Sequence, residues 1–123
     1  MKIQPLGDLL AELNGAAWTL AAGRFPALTA EHAAALGEAS GREGLLVAQV
    51  AADAWGGPYP LDESSRAQLV AAVAGVDRVV ICDHPAAERL RELGRPSAIV
   101  DIEALVERDI VADVLARHSD SQA

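Results

Sequence analysis

The sequence predicts an α/β fold, a three-layer Rossmann-like parallel sheet with helices on both faces. Two observations carry this expectation. Short, nearly continuous apolar runs alternate with stretches whose apolar residues recur on one helical face, and the runs lack the in-out alternation of a sheet that faces water. The junctions between them hold glycine, proline or helix-capping side chains.

Leu6 to Leu13 places Leu6, Leu9, Leu10 and Leu13 on one face, and Asn14-Gly15 ends this leading helix. Ala16 to Ala22, closed by Gly23, reads as the first strand. Thr29 is the N-cap of an alanine-rich helix that runs to Ala39 and stops at Ser40-Gly41. Leu45 to Val50 is the second strand. The segment Ala54 to Pro60, AWGGPYP, is a loop, because its glycines and prolines suit neither helix nor strand. Asp62 caps the next helix, whose apolar stripe is Leu69, Val70, Val73 and Val76 and whose end Gly75 marks.

Asp77 to Asp83 is a central strand, Pro85 to Leu93 a helix stopped by Gly94-Arg95-Pro96, and Ser97 to Ile102 a fourth strand. Glu103 to Arg117 forms the last helix. Leu105, Val106, Ile110, Val114 and Leu115 are its expected buried side, and Glu103, Glu107, Asp109 and Asp113 its solvated face. The chain thus reads as a single domain over residues 1–118, followed by a disordered tail at 119–123.

Composition narrows the function. With 51% apolar but only 3% aromatic residues among 123, the core has to be packed from small aliphatic side chains. Eighteen acidic against ten basic residues give a net charge of −8, which argues against nucleic acid, since binding to its backbone rests on neutralising phosphates. The sole lysine, Lys2, stands at the flexible N-terminal end, so chemistry that needs a buried lysine is excluded. Cys82 lies alone in an apolar run, where a buried, inert thiol in a reducing compartment is expected. Cys82 and His84 are too few to hold a metal. The first residues lack a signal peptide's apolar run, and no stretch approaches the roughly 20 residues that cross a bilayer, so the expectation is a cytoplasmic protein without a membrane partner.

In an open parallel sheet, ligands bind beyond the carboxyl ends of the strands. Gly23 to His32, Asp53 to Tyr59 and Asp83 to Pro85 are therefore expected on one edge. The first of these reads Gly23-Arg24-Phe25-Pro26-Ala27-Leu28-Thr29-Ala30-Glu31-His32, and the second strand runs on as LLVAQVAAD to Asp53. Then comes GGPYPLDESSRAQLVAAVAGVDRVVICD, with Arg66 at a helix start and Asp77 before a strand.

From roughly Leu6 to Pro85 this order of features resembles the cytidylyltransferase-like nucleotidyltransferases, of the heptose-phosphate adenylyltransferase and glycerol-3-phosphate cytidylyltransferase type. In that family a strand-ending glycine is followed by Phe-Asp and, two residues on, by a His-x-Gly-His signature opening a helix. Gly23, Phe25, Leu28 and His32 match. Pro26 stands in place of the Asp, Thr29 of the first His and Glu31 of the Gly. The family's Lys-Gly-x-Asp-Tyr segment and its late Ser/Thr-rich signature at a helix N-terminus are missing.

The resemblance implies that Gly23, Arg24, Phe25, Thr29 and His32 hold the phosphates of a nucleotide, ATP or CTP, with Asp53 and Arg66 near the nucleotide. It makes His32 the catalytic residue, and Mg²⁺ the cofactor, if the chain is active. Nucleotidyl transfer needs cations and amide donors aimed at phosphate oxygens, and one lost donor typically costs about 10²–10³ in rate. With several missing together, the expected protein is a nucleotidyltransferase-like pseudoenzyme with a vestigial nucleotide or phosphate site, or an assembly role. The alternative is an active, Mg²⁺-dependent enzyme passing AMP or CMP to a sugar- or polyol-phosphate.

Read from the residues themselves, His32 is either a phosphate contact or a plain first-turn histidine, and Gly23 either a phosphate cradle or a close-packing strand end. Arg66 either meets the nucleotide or pairs with Asp62 or Glu63, and Asp53 is either a ligand or a strand-end loop residue. Trp55 and Tyr59 either stack on a base or partner, or lid the core. A homodimer or partner protein would meet the apolar loop and helix faces.

Overall fold

The computed structural model describes residues 2–121, and their side chains except at 109, 110, 112, 113 and 117–121. Nine elements follow in chain order: α1 (Leu6–Leu13), β1 (Trp18–Ala22), α2 (Ala30–Ala39), β2 (Leu45–Ala51), α3 (Glu63–Ala71), β3 (Arg78–Cys82), α4 (His84–Gly94), β4 (Ala98–Asp101) and α5 (Ile102–Ser121). All four strands are parallel in the order β3-β2-β1-β4. The chain winds outward from β1 to β3 and then returns to the other side of β1. The β1/β4 boundary is therefore the topological switch point, where such sheets open a crevice at the carboxyl ends.

Both faces of the sheet are covered. Leu20 and Ala22 of β1, Val47 of β2 and Val80 and Cys82 of β3 pack with Leu9 and Leu13 of α1 and with Ala87 and Leu90 of α4. Ala21, Leu46, Ala48, Val50 and Val79 meet α2, α3 and α5 on the other face. This double burial is why the strands read as continuous apolar runs. Trp18, the largest sealed side chain, donates its indole N–H to Gly94 O at 2.7 Å and so ties β1 to the C-terminal end of α4. Arg78 donates to Glu12 and ties β3 to α1, holding the Glu12 carboxyl below the usual carboxylate range.

Several helical details differ from the expectation. α3 ends at Ala71, so Val73 and Val76 pack from the turn beyond it, and Leu69 faces solvent while Arg66, Ala67 and Val70 are buried. In α5, Val106 is buried and Leu105 packs against the core, but Val114 and Leu115 are exposed and Ile110 lies outside the described side chains. A helix of 20 residues is about 30 Å long, longer than the strands it packs on, so its second half overhangs the sheet. α5 also runs past Arg117 to Ser121. Residues 122 and 123 of the expected tail lie outside the described residues.

Lys2 is anchored rather than loose. Its Nζ donates to Ala71 O at 2.9 Å and to Val73 O at 3.3 Å, and Ile3 bridges Val79 in parallel. Between α2 and β2, Gly44 has φ +84°, and a Cβ there would lie 2.0 Å from Ala17 O, so only glycine fits.

Cys82 is fully buried, and burial pushes its thiol up to about 12. A thiol-disulfide reagent at pH 8 is expected to leave the native protein unlabelled and to label it completely in denaturant, with the native rate following global unfolding. Rapid native labelling would contradict this packing.

Candidate functional site

The residues that follow β1, β2 and β3 meet on the carboxyl edge, as expected. Ala51 N–H donates to Arg24 O and Ala52 N–H to Cys82 O, which joins the loops after β1 and β3 to the end of β2. Around the switch point they form three side-chain groupings.

The first surrounds the start of α2. Thr29 has extended backbone and its Oγ1 accepts from His32 N–H, the expected N-cap. The fourth partner of this capping box is unusual, because the His32 imidazole takes the place of the usual Glu or Gln. Its Nδ1 accepts the Thr29 N–H at 3.3 Å and lies 2.8 Å from Thr29 Oγ1. The proton therefore sits on Nε2, which faces Glu103 Oε2 at 3.1 Å and Oε1 at 3.3 Å. His32 is only 5% exposed and packs 5.6 Å from the Phe25 ring.

Glu103 Oε1 also accepts the Phe25 N–H at 3.0 Å. Phe25 has φ +48°, a left-handed conformation that costs a residue with a Cβ about 1–2 kcal/mol. The buried Phe25 ring and the carboxylate hold that conformation from both sides. Gly23 is required by the same packing, since a Cβ there would lie 2.9 Å from the ring and 3.3 Å from Glu103 Oε1. Glu103 stands in the first turn of α5 and faces the N-terminal turn of α2, where helix dipoles favour an anion. A carboxylate of the chain itself thus takes up the amide and imidazole donors that the resemblance assigns to phosphate.

The second grouping is structural in its contacts. Arg66 is 1% exposed, and its guanidinium donates to Leu61 O, to Arg24 O and to Asp53 Oδ1 at 2.9 Å. It pairs with Asp53 rather than with Asp62 or Glu63. Asp62 instead caps α3 by accepting from Ser65 N–H, which lowers its carboxyl from the ordinary value, and Glu63 accepts from Asp53 N–H. Tyr59 lies over the Arg66 guanidinium at 4.1 Å and donates its hydroxyl to Trp55 O.

The third grouping is Trp55 with Arg24 above its ring at 5.4 Å and His84 at its edge at 5.6 Å. Trp55 is half-buried against the α1/α4 side of the core, so it both lids the core and borders solvent.

Sequence reasoning missed Glu103 and the buried Gln49. Glu103 was expected on a solvated face, and only its place one residue into a helix that starts at the sheet edge signals another role. Gln49, a polar residue in an otherwise apolar strand, was the available signal for a buried amide. As to Mg²⁺, the side chains do not fit an ion by themselves. Glu103 is committed to His32 and Phe25, and among the described residues no three His, Cys, Asp or Glu side chains gather as a ligand set.

No family model matches the chain, and no curated protein matches it. Among solved structures it is similar to the lipopolysaccharide core biosynthesis protein from Thermoplasma volcanium GSS1, at 28% identity and a TM-score of 0.58, over 69% of this chain and 73% of that one. The fold is thus a known kind of α/β architecture.

Glu103→Ala is expected to lower stability by about 1–3 kcal/mol, because it strands the His32 and Phe25 donors. Arg66→Ala, which leaves three acceptors without their donor and removes a sealed side chain, is expected to cost about 3 kcal/mol or more. Denaturant titration measures both, and unchanged midpoints would show that these contacts do not hold the edge together.

Proposed function

We propose that this chain is a nucleotidyltransferase-like domain that binds a nucleotide or a related phosphorylated molecule at the carboxyl edge of its sheet and does not transfer the nucleotidyl group. The observation that supports this most directly is the Glu103 carboxylate, bonded to His32 Nε2 and Phe25 N–H. A nucleotide phosphate brought to the same donors would meet a fixed negative charge, and repulsion between like charges in a half-buried site is severe. Thr29 offers no cationic donor where the family has an imidazole, and Arg66 is held by Asp53 and two carbonyls. Transition-state stabilisation in phosphoryl chemistry rests on free, preorganised cations, and Arg66 is not one of them.

The reading predicts no pyrophosphate release from ATP or CTP with Mg²⁺ and sugar- or polyol-phosphates, and a nucleotide-dependent rise in Tm. Ligand at about 100 times its Kd stabilises by about 2.7 kcal/mol. Steady pyrophosphate release would instead restore the active, Mg²⁺-dependent transferase.

An assembly role is the second reading, favoured by Ile99 on the edge strand and Val111, Val114 and Leu115 on the overhanging half of α5, all more than half exposed. Sedimentation showing only monomer at high concentration would remove the homodimer form of that reading.

A further inference from the structure

We infer that the nucleotide lies on the α4 side of the sheet edge, its base against Gln49 and Trp55 and its phosphate against Arg91 and His84, away from the His32 side. This placement rests on the nucleotide-binding reading above and says where on the edge the ligand goes.

A cleft of about 270 Å³ opens at the ends of β1 and β2, bordered by Gly23, Arg24, Gln49, Trp55 and Arg91. A second hollow of about 190 Å³ shares Trp55 and Arg91 and reaches His84 and Glu88 on the first turns of α4. The two form one groove around the Trp55 ring, whose combined extent suits a base in one part and a sugar-phosphate in the other.

Gln49 decides which end takes the base. It is 2% exposed, it borders the larger cleft, and its Oε1 has no hydrogen-bond partner among the described residues. A buried amide oxygen without a partner is costly, and a neutral ligand edge that both donates and accepts satisfies a side-chain amide best. The amino-bearing edges of adenine and cytosine have that pattern. Trp55 supplies the adjoining aromatic surface, with Arg24 over the indole.

Charge places the phosphate at the other end. The larger cleft carries Asp101 and Glu103, which repel an anion and accept from amino groups, against Arg24 and the Arg91 that both hollows share. In the smaller hollow Arg91 forms no ion pair among the described residues, and His84 stands at the N-terminal turn of α4 with only Glu88, at 3.6 Å, as a partner.

Intrinsic fluorescence tests the placement, because Trp18 is sealed and Trp55 borders the groove. Titration with AMP and CMP is expected to change the emission, and Trp55→Phe to abolish that change. By calorimetry, Gln49→Leu and Arg91→Gln are each expected to weaken AMP binding at least tenfold. Gln49→Leu, which removes an unpaired polar group, is expected to leave the Tm of the free protein unchanged or raised, so loss of binding cannot be put down to unfolding. AMP binding of unchanged affinity in all three variants would overturn the placement and leave the nucleotide-binding reading intact. Absence of any nucleotide binding would overturn both. Inorganic phosphate binding as tightly as AMP would overturn the assignment of the base.

Discussion

One carboxylate organises the working edge of this protein. Glu103 reaches from the first turn of α5 to the first turn of α2 and to the strained loop after β1, and its two oxygens receive an imidazole and a backbone amide. Three constraints meet there: the left-handed Phe25, the glycine that must precede it, and the buried His32 whose other nitrogen closes the α2 cap. The edge gathers amide donors and helix N-termini, and those donors need an anion whether or not a ligand is bound. Here the chain supplies one.

The rest of the fold explains why that internal anion is available. β4 pairs with β1 on the side opposite β2, so the chain re-enters the edge directly beside Gly23 and starts α5 at the switch point. Asp101 accepts from Ala104 N–H and fixes that start, which aims Glu103 inward. The loop after β2 closes the other flank, with Arg66 sealed beneath Tyr59 and bonded to Asp53. Both flanks are self-satisfied. What remains open is the groove along Trp55, bordered by the Gln49 amide and by Arg91, which forms no ion pair among the described residues.

The fold was legible because it is written in local signals. Continuous apolar runs, Thr29 and Asp62 as caps, and Asn14-Gly15 as a stop each act within a few residues. The α3 stripe and the far half of α5 were misread for a common reason: periodicity extends an apolar face beyond the point where the sheet ends, and only tertiary structure says how much of it finds a partner. The site was legible in part. Gly23, Phe25, Thr29 and His32 do converge, because a short segment carries them all. Glu103 and Asp53 could not be assigned, since their partners lie 71 and 13 residues away in the chain, and charge pairing over such separations leaves no periodic trace.

Glu103, not a ligand, satisfies the His32 imidazole. The measurement that tests it most directly is the ¹⁵N spectrum of the histidine rings, which separates the two tautomers and detects hydrogen bonds to each nitrogen. The neutral His32 ring is expected to carry its proton on Nε2, with Nδ1 accepting from Thr29, and Glu103→Gln to perturb the Nε2 resonance. A His32 protonated on Nδ1, or one whose spectrum ignores the loss of the Glu103 charge, would contradict it.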